Sequence, residues 1–395
     1  MENTKSTIEK CILNRGVTLP QISVVLPVYN VEKYLRQCLD SLANQTFGDF
    51  EVICVNDGST DSSLNILEEY ASKDKRFKII SQENKGLSGA RNTGMGCVKG
   101  KYLLFLDSDD WIELNALELL YSQANNLDSE MIIFPYRYYN QETGKYDEND
   151  FTKLKMFDSS WDNKNFSYKD ISEIVFRIPH ESIKLYKVET LNKLAIKFPE
   201  GLNYEDAYFF YRIFFKLNKI SIIRTPIYNY RIRNDSICTT GTEKSFDIFK
   251  ILTCIENFLK KDEIYDELKD EFILFIIINL KFVYLRLDER FRNQYLEKMK
   301  ENYNVFALNQ INKYHLSSWH FDDRVFYNAI AISNNGVEFE LNYKKSYYEF
   351  LANHYEGVIN QLQQQNQVLT QENNNLKEQL ANDSIKNKFK KIVKL

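Results

Sequence analysis

Five short apolar runs, separated by helix-length segments, constrain the fold of this chain more than any other feature. The runs cover residues 22–28, 51–55, 77–81, 102–106 and 131–134. The segments between them have the apolar spacing, or the glycine and serine starts, that are typical of helices. Strands that are apolar throughout and alternate with helices form a parallel sheet covered on both faces. The sequence therefore predicts a doubly wound, mostly parallel α/β domain.

The strand ends indicate where such a domain would bind its ligand. In open α/β sheets the ligand lies beyond the carboxyl ends of the strands, where the winding reverses, usually between strand one and strand four. The residues at those two ends are Pro27, Tyr29 and Asn30 after strand one, and Asp107, Ser108 and Asp109 after strand four. We therefore expect these two groups of side chains to be neighbours.

The acidic end of strand four has two interpretations. Asp107, Asp109 and Asp110 fall within four residues, and carboxylates this close repel one another unless a cation or a cluster of donors lies between them. Alternatively, Asp109 or Asp110 caps a helix that begins near Ile112. The first interpretation predicts a binding site and the second only a local helix start.

The remaining strand ends carry groups that suit a nucleotide. A base could stack on Tyr29 and hydrogen-bond Asp57, and Arg91 supplies a cation at a helix start. No glycine loop of the GxxxxGK[ST] or GxGxxG kind follows strand one, which disfavours a dinucleotide oxidoreductase. A diphosphate would then need a divalent metal at Asp107 or Asp109.

Composition limits the partners and the compartment. A net charge of −4 with no basic domain does not favour nucleic acid as a partner. The six cysteines are scattered without metal-site spacing, which predicts reduced thiols and a cytoplasmic location. Residues 1–20 hold no signal-like apolar segment, and the most apolar run, residues 272–278, is too short to span a bilayer.

The chain divides into five predicted parts. Residues 1–20 form a polar leader, residues 21–240 the α/β domain, and residues 241–345 a helical domain in which no catalytic pattern is found. Residues 346–384 form a predicted coiled coil, and residues 385–395 a basic tail. The tail interleaves lysines with apolar residues, so it could lie on anionic lipid or simply be a solvated end.

The predicted coiled coil has leucine and asparagine at heptad spacing. Position d holds Tyr355, Leu362, Leu369 and Leu376, and position a holds Ile359, Asn366, Asn373 and Leu380. Asparagine at a favours a parallel, in-register pair of helices, because a buried asparagine tolerates only the matching partner. The pattern predicts a homodimer, and the alternative is a solvated polar helix.

Four motifs give the chain a resemblance to a known family. ISVVLPVYN, VNDGSTD, NKGLSGARNTG and YLLFLDSDDW, in this order, resemble the nucleotide-sugar domain of glycosyltransferase family 2, which has the GT-A fold. The resemblance covers residues 20–237. It implies an inverting, metal-dependent transferase with a DXD motif, matched here by Asp107, Ser108 and Asp109. The chain lacks the QxxRW motif of processive members, so we expect one sugar to be transferred per encounter.

The resemblance also implies individual roles. Asp109 would bind Mn²⁺ or Mg²⁺ directly, and Asp107 would face the ribose and diphosphate as a further metal ligand. Asp206, in the motif Tyr204, Glu205, Asp206, would be the base that takes the acceptor's proton, and Glu205 would orient the acceptor. The other implied donor-binding residues are Pro27, Tyr29, Asn30, Asp57, Arg91, Asn92, Ser108, Arg231, Arg233 and Ser236. For Glu205 and Asp206 the alternative is an ordinary acidic helix start.

These features predict a hexosyl- or N-acetylhexosaminyltransferase. We expect it to use a nucleotide-diphosphate sugar, with a UDP-sugar favoured, and to modify a hydroxyl of a cell-surface glycan, a lipid-linked saccharide or a glycoprotein. The competing hypothesis from another class is a non-catalytic coiled-coil assembly protein with a vestigial GT-A domain. A scaffold has no physical need for intact DXD and ED motifs, which makes the enzyme the leading hypothesis.

Overall fold

The structure is a computed structural model and describes most of the chain. It describes residues 19–147, 154, 157–178, 184–233, 241–306, 320–334 and 336–392. Among these residues the chain forms two compact units. One holds the residues up to Tyr295 and those described in the segment Tyr303–Asn312. The other holds residues 296–302 and the last two helices.

The first unit contains two β-sheets. The strands are β1 (Ile22–Val28), β2 (Phe50–Asp57), β3 (Phe77–Gln82), β4 (Tyr102–Phe105), β5 (Trp111–Ile112), β6 (Met131–Ile133), β7 (Tyr136–Asn140), β8 (Lys145–Asp147), β9 (Leu185–Lys187), β10 (Ile220–Ile222) and β11 (Tyr228–Ile232). The larger sheet has the order β10-β6-β9-β4-β1-β2-β3, and the smaller one β5-β11-β7-β8. The five predicted strands are β1, β2, β3, β4 and β6.

The larger sheet is mixed rather than wholly parallel. β1, β2, β3 and β4 are parallel, and every residue of β1 and β2 is buried, as expected for a sheet covered on both faces. β9 lies between β4 and β6 and is antiparallel to both. This strand was not predicted, because three residues are too few to show a periodicity.

Helices cover the larger sheet and form most of the described residues after β11. They are α1 (Glu32–Ala43), α2 (Ser63–Lys73), α3 (Gly86–Met95), α4 (Ala116–Leu127), α5 (Val188–Leu194), α6 (Glu205–Phe214), α7 (Asp247–Lys261), α8 (Tyr265–Arg286), α9 (Glu289–Val305), α10 (Phe321–Ile332) and α11 (Gly336–Ile392). The helical C-terminal region is as predicted. No helix among the described residues is both long and apolar enough to cross a membrane.

Helix α3 packs very closely on β1. A Cβ atom at Gly94 would stand 2.4 Å from Cγ1 of Val25, so a larger residue there would push the helix away from the sheet. This close approach fixes the helix that carries Arg91 and Asn92. The glycine is therefore part of the packing that positions the candidate site.

The second unit contains α10 and the first turns of α11 packed as a pair, and the rest of α11 continues as a long exposed helix. Phe326 of α10 packs against Phe339 and Tyr343 of α11, with ring centroids 5.3 and 5.7 Å apart. Farther along α11, apolar side chains of the predicted heptad are more than half exposed, namely Tyr355, Ile359, Leu362, Leu369 and Leu376. The coiled coil stays a prediction. The side chains of the basic tail lie outside the described residues.

Candidate active site

The aromatic turn after β1 and the acidic turn after β4 leave the same edge of the sheet. β1 pairs with β4 in parallel, with Val25 opposite Phe105, so both turns begin where the neighbouring strands end. The ring of Tyr29 is 52% exposed, as a stacking platform requires. Asn30 has a positive φ of 49°, and its Oδ1 accepts a hydrogen bond from the amide of Thr60 at 2.7 Å.

Asp57 ends β2 beside this turn and is held rigidly. Its Oδ1 accepts hydrogen bonds from Nε2 of Gln82 at 2.7 Å and from the amide of Lys85 at 2.9 Å. The residue is 2% exposed. The carboxylate is therefore oriented before any ligand binds, which lowers the entropic cost of recognising a base.

Arg91 is the centre of the site. Its Nη1 donates to Oδ1 of Asp206 at 2.6 Å and to Oε1 of Glu205 at 3.0 Å, and its Nη2 donates to Oδ1 of Asp107 at 2.9 Å. The residue is 1% exposed. One buried guanidinium thus joins the acidic turn after β4 to the acidic start of α6, two segments that are about a hundred residues apart in the chain.

An aromatic cluster supports this arginine. The guanidinium carbon lies 5.3 Å from the ring centroid of Phe198, within the range of a cation–π contact. Phe198 stacks on Phe209 of α6 at 3.8 Å, and both rings meet Phe105 of β4 edge to face. The rings exclude water below the guanidinium and connect β4 with α6.

Asn92, the next residue of α3, clamps the segment that leads to α6. Its Oδ1 accepts from the amide of Phe198 at 2.9 Å, and its Nδ2 donates to the Phe198 carbonyl at 3.0 Å and to Oε1 of Glu200 at 3.1 Å. These contacts make Asn92 a positioning residue for the approach to Glu205 and Asp206. They do not test the prediction that it binds the donor.

Glu205 and Asp206 form the first turn of α6, which begins after Tyr204 in the left-handed region at φ 64°. The pair is an acidic helix start whose two carboxylates also accept hydrogen bonds from Arg91, and their roles toward the acceptor stay a prediction. Burial and, next, the charge of Asp206 raise the pKa of Glu205 from 4.5 to about 7, outweighing the lowering effect of Arg91. Asp206 is more accessible, with 24% of its side chain exposed.

Asp110 anchors the acidic turn and does not cap a helix. Its Oδ2 accepts from the hydroxyl of Tyr228 at 2.7 Å, and its Oδ1 accepts from the amide of Arg231 at 2.7 Å. Burial raises its pKa well above the usual range, and the charge of Asp109 adds to the shift. The helix-cap alternative is wrong, because residues 111–112 form β5 and α4 begins at Ala116, after Asn115.

Arg231 fixes the main chain of the same turn. Its guanidinium carbon lies 4.7 Å from the ring centroid of Trp111 and 4.9 Å from that of Tyr34, and its Nε donates to the carbonyl of Asp109 at 2.6 Å. A further donor reaches Oε1 of Gln37 at 2.6 Å. Arg231 is buried, so in this structure it supports the turn from below.

Arg233 faces the predicted metal ligand. Its Nε donates to Oδ2 of Asp109 at 2.9 Å, and the two side chains are 22% and 23% exposed. Burial and then the charge of Asp107 raise the pKa of Asp109 despite this ion pair. Burial and the neighbouring carboxylate thus disfavour the charged form of Asp109, and a cation beside it opposes both effects, as Arg233 of the same chain does.

The donor set fits a metal that binds together with its substrate. Asp107 and Asp109 offer carboxylate oxygens, the ligands preferred by Mg²⁺ and Mn²⁺. Within the part of the chain that the structure describes, no group of three or more His, Cys, Asp or Glu side chains is placed to hold a metal. A hard divalent cation bound by one or two carboxylates takes its remaining ligands from substrate phosphates and water.

The structure thus brings the predicted acidic residues into one cluster and adds residues that were not predicted. Ser108 is buried between its two aspartates, and Ser236 lies outside the described residues. The unpredicted supports are Tyr34, Gln37, Glu200 and Tyr228. The signal for Tyr228 was its place in YNYRIR, where aromatic residues next to arginines indicate a packed, charged strand.

Sequence comparison relates the chain to one protein family. Residues 23–194 match the model of glycosyl transferase family 2. EpsH of Bacillus subtilis (strain 168) is 34% identical over 287 residues, which are 69% of this chain and 82% of EpsH. The glycosyltransferase GlyG of Streptococcus pneumoniae serotype 4 is 33% identical over 245 residues, which are 61% of this chain and 79% of GlyG.

Solved structures show the same fold. S. aureus TarS residues 1–349, in complex with UDP, superpose with a TM-score of 0.59 at 21% identity, covering 84% of this chain and 92% of that one. The sheet with its acidic strand end thus has the architecture of a GT-A transferase. The chain belongs to glycosyltransferase family 2 and is a glycosyltransferase. The hypothesis of a non-catalytic scaffold is accordingly not retained.

Proposed function

We propose that this glycosyltransferase is inverting and metal-dependent, and that it moves a hexosyl or N-acetylhexosaminyl group from a UDP-sugar to an acceptor hydroxyl. The observation that carries the proposal is the bridge made by Arg91 between Asp107 on the acidic turn and Asp206 on α6. An inverting displacement needs a base on one face of the sugar carbon and stabilisation of the leaving group on the other. Arg91 thus contacts both the proposed base, Asp206, and Asp107, which belongs to the proposed site of the leaving diphosphate.

Asp206 is the proposed base. Its Oδ1 is held by Arg91 at 2.6 Å, and its side chain remains partly exposed, so an acceptor hydroxyl can approach it. Asp206 would accept the hydroxyl proton as the oxygen attacks the anomeric carbon and the diphosphate leaves. Glu205, buried and with its pKa raised to about 7, would be protonated part of the time near neutral pH and could donate a hydrogen bond to the acceptor.

Donor binding would use the side chains at the carboxyl ends of β1, β2 and β4. Tyr29 would stack on the base and Asp57 would accept from it, with Pro27 and Asn30 shaping the turn. Asp107 and Asp109 would hold Mn²⁺ or Mg²⁺. A bound divalent metal neutralises charge that develops on the departing diphosphate. UDP is the favoured nucleotide because structures of TarS contain UDP and UDP-GlcNAc.

The acceptor is proposed from the relatives. One of them, from Bacillus spizizenii, is a poly(ribitol-phosphate) beta-glucosyltransferase that is 36% identical over 220 residues. This supports a cell-surface glycan as the acceptor class, with a lipid-linked saccharide or a glycoprotein as the alternatives. We further propose a cytoplasmic protein whose basic tail, residues 385–395, contacts the inner face of the membrane.

A hydrolysis screen tests the donor and the metal together. The full chain is incubated with a panel of nucleotide sugars in the presence of Mn²⁺, Mg²⁺ or EDTA, and released nucleoside diphosphate is measured. We expect one UDP-sugar to be hydrolysed, with the activity lost in EDTA. Full activity in EDTA would contradict the metal, and turnover of a GDP- or TDP-sugar alone would contradict UDP.

Matched aspartate variants test the roles. Asp206→Asn should bind UDP normally and lose turnover, whereas Asp109→Asn should lose metal-dependent UDP binding. Asp49→Asn, at an exposed position just before the amino end of β2, is the control. Unchanged turnover in Asp206→Asn would refute the base, and unchanged metal dependence in Asp109→Asn would refute the metal ligand.

We also propose that α11 pairs with α11 of a second copy in parallel. Six apolar residues recur every seven positions and are each 56–66% exposed, namely Leu341, Tyr348, Tyr355, Leu362, Leu369 and Leu376. The spacing of position d thus continues two heptads before Tyr355, the first d residue of the predicted heptad. At about 100 Å² from each of these side chains, the seam would bury on the order of 600 Å² per copy, a large part of a standard interface.

Charges favour the parallel register. In a parallel dimer, position g of one helix lies near position e of the next heptad on the other. This arrangement places Lys344 of one copy opposite Glu349 of the other, and Glu372 opposite Lys377. Both pairs are attractive. Sedimentation of the full chain at micromolar concentration should show a dimer.

Paired substitutions test the seam. Leu362→Asp with Leu369→Asp should give a monomer, and Gln364→Asp with Gln371→Asp, which adds the same charge at the outward position f, should not. A monomeric wild-type protein, or equal dissociation by both variants, would refute the parallel seam.

A further inference from the structure

Each of the two carboxylates proposed to bind the metal already holds an arginine. Nη2 of Arg91 lies 2.9 Å from Oδ1 of Asp107, and Nε of Arg233 lies 2.9 Å from Oδ2 of Asp109. A divalent cation that takes the same oxygens of these carboxylates would compete with guanidinium groups of the same chain. The structure indicates which of the two arginines yields.

Burial separates the two ion pairs. Arg91 has 1% of its side chain exposed and contacts three carboxylates, so its departure would leave the buried Glu205 and two partly exposed aspartates without their shared cation. Arg233 and Asp109 are 22% and 23% exposed, and an ion pair that water can reach costs little to open. Arg233 is therefore the partner that can leave.

The acidic turn is held in place independently of Arg233. The carbonyl of Asp109 accepts a hydrogen bond from Nε of the buried Arg231 at 2.6 Å, and Asp110 is bound by Tyr228 at 2.7 Å. The Asp109 main chain consequently stays fixed when its carboxylate changes partner. Arg233, in contrast, follows the last residue of β11, and its guanidinium carbon lies 5.2 Å from the ring centroid of Tyr34.

We infer that Arg233 is an internal competitor for the metal at Asp109, and that the diphosphate of the donor draws it away. The inference rests on the proposed function. Metal alone must break the Arg233–Asp109 pair, and so must a diphosphate that recruits Arg233. When both ligands bind, the Arg233–Asp109 pair is broken only once, so the metal and the diphosphate share the cost of breaking it. Metal and nucleoside diphosphate therefore promote each other's binding beyond their direct attraction.

The inference predicts opposite effects of one substitution on two ligands. In Arg233→Met, Asp109 has lost its internal cation, so Mn²⁺ alone should bind about two- to fivefold more tightly, the range expected for a partly exposed pair. The same variant should bind UDP in saturating Mn²⁺ at least about tenfold more weakly, because a guanidinium contact to phosphate is lost. A merely structural role would weaken both.

The experiment is a set of binding titrations without turnover. Mn²⁺ binding to the full chain is followed by electron paramagnetic resonance, and UDP binding by calorimetry with and without Mn²⁺. Arg233→Lys keeps a positive charge at the site and should stay nearer the wild type in Mn²⁺ affinity. Arg36→Met removes an exposed arginine paired with Glu69 and is the control, with both affinities unchanged.

The outcomes separate the inference from the proposed function. Tighter Mn²⁺ binding with weaker UDP binding in Arg233→Met supports it. Unchanged or weaker Mn²⁺ binding in that variant, with a wild type that binds both ligands, overturns the inference and leaves the function standing. A wild type that binds neither Mn²⁺ nor UDP overturns the proposed function and the inference with it.

Discussion

Replacing Arg91 by methionine should destabilise the first unit more than the loss of any surface ion pair. Methionine keeps an unbranched apolar side chain in the space beside Phe198, but it leaves the carboxylates of Asp107, Glu205 and Asp206 without their shared cation. Removing one partner of a buried ion pair costs about 3 to 5 kcal/mol. The same exchange at Arg36, which is paired with Glu69 at the surface, should lower the free energy of unfolding far less.

Urea unfolding at pH 7 measures the difference. Trp111 is the first residue of β5, directly after the acidic turn. With Trp319 replaced by phenylalanine in every protein compared, tryptophan fluorescence reports on the unit that contains the site, and the unfolding free energies of the two variants are compared with that of the unsubstituted protein. The deficit of Arg91→Met should shrink as the pH is lowered, because protonation of the three carboxylates removes the unpaired negative charges. The deficit of Arg36→Met should stay small throughout.

Two results would refute this reasoning. A loss in Arg91→Met no larger than in Arg36→Met would mean that the carboxylates are satisfied without the guanidinium. A large loss that does not change with pH would mean that methionine disturbs the packing and that charge is not the cause. Either result would remove Arg91 as the electrostatic centre of the site.

Three further predictions concern single residues near the site. The free energy of unfolding of the wild type should fall by about 3 kcal/mol relative to that of Glu205→Gln as the pH rises from about 4.5 to 7. The reason is the raised pKa, because in this window the folded state holds the Glu205 proton and the unfolded state releases it. Unfolding free energies that run parallel across this window would disprove the shift. Gly94→Ala should lower the free energy of unfolding, measured by thermal unfolding, by about 1 to 3 kcal/mol, because its Cβ would stand 2.4 Å from a methyl carbon of β1, and this outweighs the preference of alanine for helices. Gly48→Ala is the control and should be nearly neutral, because a Cβ there meets nothing within 4 Å. Equal effects of the two substitutions would contradict the packing argument. Tyr228→Phe should lower the free energy of unfolding by about 1 to 3 kcal/mol, because Asp110 loses a hydrogen-bond donor, and the loss should be smaller at acid pH. An unchanged free energy of unfolding would show that the hydroxyl does not anchor the turn.

The parallel half of the larger sheet could be predicted because burial on both faces makes strands apolar throughout. β1 was predicted to the residue, and β2, β3 and β4 to within one or two residues at either end. The smaller sheet was not predicted, because its strand Tyr136–Asn140 mixes aromatic and polar residues without alternation. Strands that pair across long loops depend on tertiary contacts, which a local pattern does not contain.

The members of the site could be predicted more readily than their partners. Asp107, Asp109, Glu205 and Asp206 were singled out by motif, and the structure joins three of them through one guanidinium. Arg91 was expected to hold the nucleotide base, and that role is untested. Its observed partners include a residue 115 positions away, and no spacing in the sequence indicates which side of α3 meets α6.

The charges around Arg91 and Arg233 link the proposed metal site to the proposed base. Asp107, Asp109, Glu205 and Asp206 share two guanidinium groups, those of Arg91 and Arg233, so the cluster has two more anionic groups than cationic ones. Burial and then the charge of Asp206 raise the pKa of Glu205, so this residue can keep a proton that offsets part of the excess. A divalent cation at Asp109 would offset more of it. If metal binding lowers the net negative charge around Arg91, the pKa of Glu205 should fall when Mn²⁺ binds, which links the protonation of the acceptor side to the binding of the metal on the donor side.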